Sequence, residues 1–294
     1  MNSSIEIPKE VFGLALESNR FFEALSGDSA EMHVRDALDV ERGIKHAQML
    51  QRFTELKGAR VLEVGCGFGV NLGTWIKDYG ADAYGLEPSA PEWGRSFEGA
   101  QILLKANNID PTRVVNGVGE SIPFEDDTFD VVYSANTMEH VRDPERVLWE
   151  SVRVLKPGGI LHFEVPNYMS FYETHYSVFK PPVSNRKMLE VWIRLCGKNV
   201  EFAKTINTIT PMWCRRVVKR LQSVYALDLI TLGEEVFLER LARPWIFEYE
   251  QAQTNTSLAV SMIQAVNRSN WIGHLLVAAQ AFYPIFLTLR KGER

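Results

Sequence analysis

Apolar residues recur through the first part of the chain at the three- and four-residue spacing of a helix. Val34, Leu38, Ile44, Met49, Leu50, Phe53 and Leu56 hold an apolar stripe on one side, so the region to about residue 56 reads as helical. At Arg60 the pattern changes. Arg60-Val61-Leu62-Glu63-Val64 is a short β-prone run that ends in a glycine cluster, Gly65 to Gly69, and a helix-compatible stretch follows over Val70–Tyr79. The alternation then repeats, with strands expected over 83–86, 113–115 and 129–134 and helices over 91–107 and 144–155. Pro144 suits the first turn of its helix. Lys156-Pro157-Gly158-Gly159 is a stop-and-turn signal, after which 160–165 is a fifth, nearly all-apolar strand.

Short apolar runs alternating with helices predict a mostly parallel sheet covered on both faces. Right-handed crossovers then leave few topologies, and the expected fold is α/β, Rossmann-like and doubly wound. Beyond Pro166 the alternation loosens. Residues 167–205 are rich in aromatic and basic groups and read as an insert. Thr210-Pro211 is a cap followed by proline at the first helical position, and predicts a helix to about Gln222. Residues 227–232 are a sixth strand candidate, 234–281 read as helical, and 284–290 as a last strand. The run Trp271 to Leu289 is almost wholly apolar and close to membrane-spanning length, but His274, Gln280 and Pro284 interrupt it. A helix followed by a strand produces the same composition.

The glycine cluster changes the picture from fold to chemistry. A strand delivers the chain to a turn whose glycines let backbone pass close to a ligand, and the helix beginning there offers free N–H donors. The spacing departs from a dinucleotide fingerprint, because the sixth position counted from Gly65 is Val70 and not glycine. A compact cofactor suits the turn better than a pyrophosphate. Glu87 ends the second strand twenty residues after Gly67, where a carboxylate can accept hydrogen bonds from both ribose hydroxyls.

These segments resemble the class I S-adenosylmethionine-dependent methyltransferase family. Glu63-Val64-Gly65-Cys66-Gly67-Phe68-Gly69 is similar to its first motif and Gly85-Leu86-Glu87-Pro88-Ser89 to its ribose-binding second. Glu120-Ser121-Ile122-Pro123-Phe124 resembles the loop against the adenine. Residues 127–132 with Met138-Glu139-His140-Val141-Arg142-Asp143-Pro144 resemble the fourth strand and its exit, and Arg153 to Gly159 the turn before strand five. The resemblance covers about 58–166 and, less closely, the last strand. It implies a seven-stranded sheet with an antiparallel last strand and S-adenosylmethionine as cofactor.

It also implies a cofactor site of Glu63, Gly65, Cys66, Gly67, Gly69, Glu87, Pro88, Gly119, Glu120 and Asn136. One departure is Val118, which stands where many relatives carry an acid for the adenine amino group; Gly119 and Glu120 are the expected substitutes. The implied organisation is an N-terminal helical cap, 1–57, and a methyltransferase domain, 58–294, whose inserts at about 167–205 and 234–281 cover the substrate side. An antiparallel last strand at 284–290 displaces the membrane-spanning reading, and a peripheral membrane contact through 234–281 is the alternative kept.

On the acceptor side, His140 follows strand four at the carboxyl edge of the sheet, where ligands bind in open α/β folds. Its ordinary pKa suits a general base, and a turn-capping role is equally open. Glu173 and His175, two apart in an extended loop, point the same way and form either a base with its orienting carboxylate or a surface pair. With so few candidate ligands, no metal site is expected. Met169, Phe171, Tyr172, Phe179 and Trp192 read as an apolar pocket or as ordinary core. Arg215, Arg216, Lys219 and Arg220 give a basic helix face, either solvated or facing an anionic acceptor such as a glycan or lipid-linked precursor.

Composition narrows the classes. The chain has 294 residues, 46% of them hydrophobic and 23% charged, which suffices for an ordinary globular core. A net charge of −5 gives no general attraction to nucleic acid. Three widely spaced cysteines without a CxxC pair argue against a disulfide framework and fit a cytoplasmic setting, and Glu6, Glu10 and Glu17 argue against a signal peptide. The expected function is methyl transfer to a small-molecule or glycan/lipid-linked acceptor, on oxygen, with a histidine base. The alternatives are a non-catalytic binding module on the same fold and a nicotinamide-dependent oxidoreductase.

Overall fold

The computed structural model describes residues 3–26, 29–90, 94–183, 185–242 and 270–293. Three helices open the chain, α1 (Lys9–Ser26), α2 (Ala30–Ala37) and α3 (Val40–Leu50). The glycine turn then joins β1 (Arg60–Val64) to α4 (Val70–Tyr79), as the residue pattern predicts. The alternation continues through β2 (Asp82–Glu87), α5 (Ser96–Ala106), β3 (Val114–Asn116), β4 (Phe129–Ala135), α6 (Pro144–Val154) and β5 (Leu155–Val165). The insert holds a two-stranded hairpin, β6 (Tyr172–Glu173) with β7 (Val178–Phe179), and α7 (Arg186–Leu195). The chain closes through α8 (Pro211–Leu221), β8 (Leu227–Thr231), α9 (Glu234–Ala242), α10 (Asn270–Ala278) and β9 (Ile285–Lys291).

The main sheet has seven strands in the order β3-β2-β1-β4-β5-β9-β8. Neighbours from β3 to β5 are parallel, while β9 runs antiparallel to both β5 and β8. Strand order therefore reverses between β1 and β4. The crevice at the carboxyl ends of those two strands is where ligands bind in such sheets.

One boundary differs from expectation. Residues 156–159 are not a turn ahead of the fifth strand but part of β5, whose register against β4 jumps from Phe129↔Leu155 to Val131↔Ile160. The proline and two glycines are accommodated as a bulge, with Gly158 at φ +81°, because the helix delivers Leu155 directly to the sheet.

Two apolar layers sandwich the sheet. Leu62, Val64 and Val132 pack beneath Val147 and Val152 of α6 and Val217 and Leu221 of α8. On the other face Val61 and Val131 pack with Leu72 and Trp75 of α4, Leu103 of α5, and Val11, Val34 and Leu50 of the N-terminal helices. The opening helices thus share one core with the sheet; Trp75 Nε1 donates to the carbonyl of Gly43 at 3.0 Å. The insert has a small core of its own around Tyr168, Tyr176, Leu189 and Ile193.

The apolar run 271–289 resolves into α10 and β9. No described helix is long and apolar enough to cross a membrane. Within the helical reading of 234–281, residues 243–269 lie outside the described residues, as do 91–93 at the start of the helix expected over 91–107. The aromatic residues of the insert also depart from expectation. Phe171, Tyr172 and Phe179 are exposed, so they belong neither to a core nor to a closed pocket. The hairpin that carries them is only two residues per strand, too short to bury both faces. The basic face of α8 is partly neutralised, since Arg215 pairs with Glu234 and Arg220 makes two hydrogen bonds with Glu145.

Candidate active site

Gly65, Gly67 and Gly69 all adopt positive φ (+74°, +53° and +77°), but for different reasons. A side chain at Gly65 would run into Thr137, on the loop after β4, at 2.3 Å, and one at Gly69 would press on Ala100 of α5 at 3.1 Å. Only at Gly67 would it enter open space. Two of the three glycines therefore serve close packing of protein on protein, and one faces the crevice. The amides of Gly65 and Cys66 both donate to the carbonyl of Leu86, at 2.8 and 3.2 Å, which pins the turn to the end of β2.

Two acids lie against this turn. Glu87 is buried; its Oε2 accepts the Gly67 amide at 2.9 Å and its Oε1 accepts the Ser96 hydroxyl at 2.6 Å. Burial raises its pKa against the lowering effect of those two bonds. Glu63 is buried too, and its Oε1 accepts the Asn71 side-chain amide at 2.6 Å. Its Oε2 has no partner among the described residues. Burial pushes the Glu63 carboxyl up to about 8, with the neighbouring Glu87 adding to the shift. An orphaned buried carboxylate oxygen calls for a cation or a donor from outside the chain.

A second cluster sits on the loops leaving β4 and β5. His140 donates its backbone amide to the carbonyl of Thr137 at 2.9 Å, so this loop continues from the residue that touches Gly65. His175 Nδ1 lies 2.7 Å from Glu173 Oε1, and Glu173 Oε2 accepts the Tyr176 amide at 2.7 Å. The two imidazoles meet edge to face, 5.1 Å between centroids, and Phe202 packs on both. Glu139, a residue that sequence reasoning did not single out, is fully buried beside them, with its Oε1 3.7 Å from His140 Nε2. Neither of its oxygens has a hydrogen bond among the described residues.

Burial, helped by His175, drives His140 down to about 3, and burial raises Glu139 to about 7 although His175 opposes it. Burial also lowers His175, but the hydrogen bond and charge of Glu173, with the charge of Glu139, outweigh it and its pKa rises. Asn207 holds the loop: its side-chain amide donates to the carbonyls of Met138 and Val141, and its backbone amide to that of Glu139 at 2.8 Å.

Comparison with known proteins fits this geometry. A family model described as a methyltransferase domain matches residues 62–163, from β1 through β5. An uncharacterized 37.1 kDa protein in transposon TN4556 of Streptomyces fradiae is 30% identical over 285 residues, 94% of this chain and 74% of that protein. The chain belongs to the class I S-adenosylmethionine-dependent methyltransferase family.

A glycine/sarcosine/dimethylglycine N-methyltransferase of Actinopolyspora halophila is 29% identical over 219 residues, 70% of this chain and 37% of that enzyme. In fold the chain is similar to a provisional sarcosine dimethylglycine methyltransferase of Galdieria sulphuraria, with a TM-score of 0.52, 16% identity and 88% of each chain covered. The chain spans 40% of the length of the uncharacterized Mycobacterium tuberculosis proteins it matches.

The family's cofactor is tested by the residues present, and they fit it. Gly67 opens onto the crevice, Glu87 stands beside it, and Glu63 offers an unpartnered carboxylate oxygen. Other expected contacts are less direct. The Cys66 side chain packs into the core so closely that a side chain at Gly85 would meet its sulfur at 2.5 Å, leaving only the backbone of Cys66 at the turn. Pro88 is half-buried, and the next amide, Ser89, is held by the Asn116 side chain. Gly119 is wedged between Val64 and Val147.

One carboxylate oxygen of Glu120, the acid expected near the adenine, is already engaged within the protein. Its Oε1 accepts the amides of Arg142 and Asp143, at 2.8 and 3.1 Å, and so caps the chain ahead of α6. Val118 is 44% exposed and offers an apolar surface there instead. Asn136 is exposed at φ +50°, with its backbone amide tied to the carbonyl of Glu164. Asn71 and Ser96, which hold the two acids, carry no signal of their own in the sequence.

Proposed function

We propose that this protein transfers the methyl group of S-adenosylmethionine to an oxygen atom of a small-molecule or glycan/lipid-linked acceptor. The observation that carries the reading is the grip at the end of β1: an open Gly67, a buried Glu87 joined to it, and an orphaned Glu63 oxygen. The family membership and the small-molecule N-methyltransferase among the relatives support methyl transfer to a small molecule; the choice of oxygen rests on the histidine available as a base. The unpaired cysteines Cys66, Cys196 and Cys214 fit a reducing compartment such as the cytoplasm.

When bound, S-adenosylmethionine supplies a methyl group already activated by its sulfonium. What the chain contributes is binding, alignment, exclusion of water and removal of a proton. Glu63, whose Oε2 lacks a partner among the described residues, would hold the methionine ammonium, and Glu87 would accept from the ribose hydroxyls. Glu173 holds the Nδ1 edge of His175, so that Nε2 is the atom free to take the proton of an acceptor hydroxyl. Glu139 faces the resulting positive charge.

Calorimetric titration with S-adenosylhomocysteine tests the cofactor reading. The expected result is binding that Glu87→Ala weakens; no binding to the folded protein overturns it. Transfer of a labelled methyl group to hydroxyl-bearing acceptors, with the product identified by NMR, tests the oxygen reading. A methyl found on nitrogen or carbon overturns that part alone.

A further inference from the structure

We propose that Glu139, His140 and His175 form a binding site for a divalent transition-metal cation of the zinc type. One ligand atom from each of the three lies within 4.8 Å of the others. The set is two imidazoles and one carboxylate, the donors that a borderline-soft first-row dication takes, and a set of three leaves a coordination position open.

Several features separate this group from an ordinary hydrogen-bonded cluster. Glu139 is fully buried, and both its oxygens lack a hydrogen bond among the described residues, so the fold leaves a buried carboxyl group beside two imidazoles without a hydrogen-bond donor. His175 has its Nδ1 bound to Glu173, which leaves Nε2 as its ligand atom. A carboxylate holding the far nitrogen of a ligating histidine is the arrangement that fixes tautomer and ring orientation at metal sites. Glu173 is itself anchored by the Tyr176 amide and buried. The charges balance as well. A dication with Glu139 and Glu173 ionised sums to zero.

One of the three separations is already close to that of a zinc site. Ligand atoms around a tetrahedral zinc ion stand about 3.4 Å apart, and Glu139 Oε1 and His140 Nε2 already stand at 3.7 Å. Tyr168 adds a buried hydroxyl without a partner among the described residues, and the charges of Glu173 and Glu139 are both felt there. Phe202 lies against both imidazoles and shields the group from solvent. Asn207 fixes the backbone of Glu139 from the far side of the loop.

The site goes beyond the methyl-transfer reading and stands without it, because metal binding requires neither cofactor nor acceptor. The two meet at His175. Free, its Nε2 can take a proton; bound to a cation, it cannot, and the cation then serves to lower the pKa of an acceptor hydroxyl.

The full-length protein, stripped with a chelator and titrated with zinc sulfate alone, tests the proposal. The expected result is one zinc ion per chain. Glu139→Gln, which keeps the shape of the side chain, is expected to weaken zinc binding by about 100-fold, and Glu173→Gln by about 10-fold, the range for a group that orients a ligand. Circular dichroism of each variant checks that the fold survives. Cobalt(II) substituted for zinc is expected to give visible bands of a four- or five-coordinate ion, lost in Glu139→Gln. No zinc retained by the wild-type protein, or retention that both substitutions leave unchanged, overturns the proposal. Neither result touches the titration with S-adenosylhomocysteine.

Discussion

Glu87 Oε2 accepts the backbone amide of Gly67 at 2.9 Å, so the acid at the end of β2 and the glycine turn after β1 act as one unit. The bond holds the turn open at the residue that faces the crevice. Glu87→Gln keeps the side-chain volume and removes the charge. Hydrogen bonds to charged groups contribute about 1.5–3 kcal/mol, so affinity for S-adenosylhomocysteine is expected to fall by about 10- to 100-fold in calorimetry.

The three glycines of the turn should separate by phenotype. Gly65→Ala places a methyl group against the Thr137 side chain and is expected to lower the melting temperature. Gly67→Ala meets nothing within 4 Å, yet it adds side-chain bulk to the crevice at φ +53°. Its cost in stability should be about 1 kcal/mol, with the larger loss in S-adenosylhomocysteine binding. Equal effects of the two substitutions on both measurements would contradict this division.

Glu63 makes cofactor binding depend on pH. Its carboxyl, raised to about 8, is protonated in the free protein at neutral pH. A ligand ammonium stabilises the ionised form, so binding should release a proton. Affinity is expected to rise from pH 6 to about pH 8 and then level off. Calorimetry in two buffers of different ionisation enthalpy reads the proton directly.

The same shift bears on stability in the opposite sense. The folded pKa lies above the ordinary value of 4.5, so the folded state holds a proton that the unfolded chain has released. The contribution of Glu63 to stability is full below about pH 4.5 and declines as pH rises to about 8. Denaturant midpoints of the unliganded protein should show a smaller decline over this window in Glu63→Gln than in wild type.

Asn207 holds the loop that carries Glu139 and His140 through two carbonyls, those of Met138 and Val141. Asn207→Ala leaves both without their donor. The expected loss is about 1–3 kcal/mol, read as a lower denaturant midpoint. Hydrogen exchange at 138–141 should rise with it while exchange in β1 is unchanged.

Much of the frame is legible in local pattern. The stretch 60–79 is strand, glycine turn and helix because a five-residue β-prone run, residues without a Cβ, and a helical spacing act over a few neighbours. Thr210 caps α8 for an equally local reason, its hydroxyl accepting the Trp213 amide at 3.1 Å. Where the reading failed, a distant partner decided. Pro157-Gly158-Gly159 carries the marks of a turn, but it lies as a bulge within β5, because Leu155 before it and Ile160 after it both pair with β4. That one oxygen of Glu120 caps the chain ahead of α6 was equally beyond local pattern, since the amides it accepts lie more than twenty residues on.

By itself, then, the sequence determined the alternation of strands and helices, the bend at 65–69 and the acid that ends β2, because each depends on residue type and spacing within a few positions. Only tertiary structure decided which glycine faces the crevice, since Thr137 and Ala100 arrive from other elements. It also decided what stands beside the histidines. Glu139 and His175 lie 36 positions apart on different loops, and two loops converge only when β4 and β5 pair. Spacing along the chain does not bring Glu139, His140 and His175 together as a group; a buried carboxyl group acquires its neighbours, or lacks them, only in three dimensions.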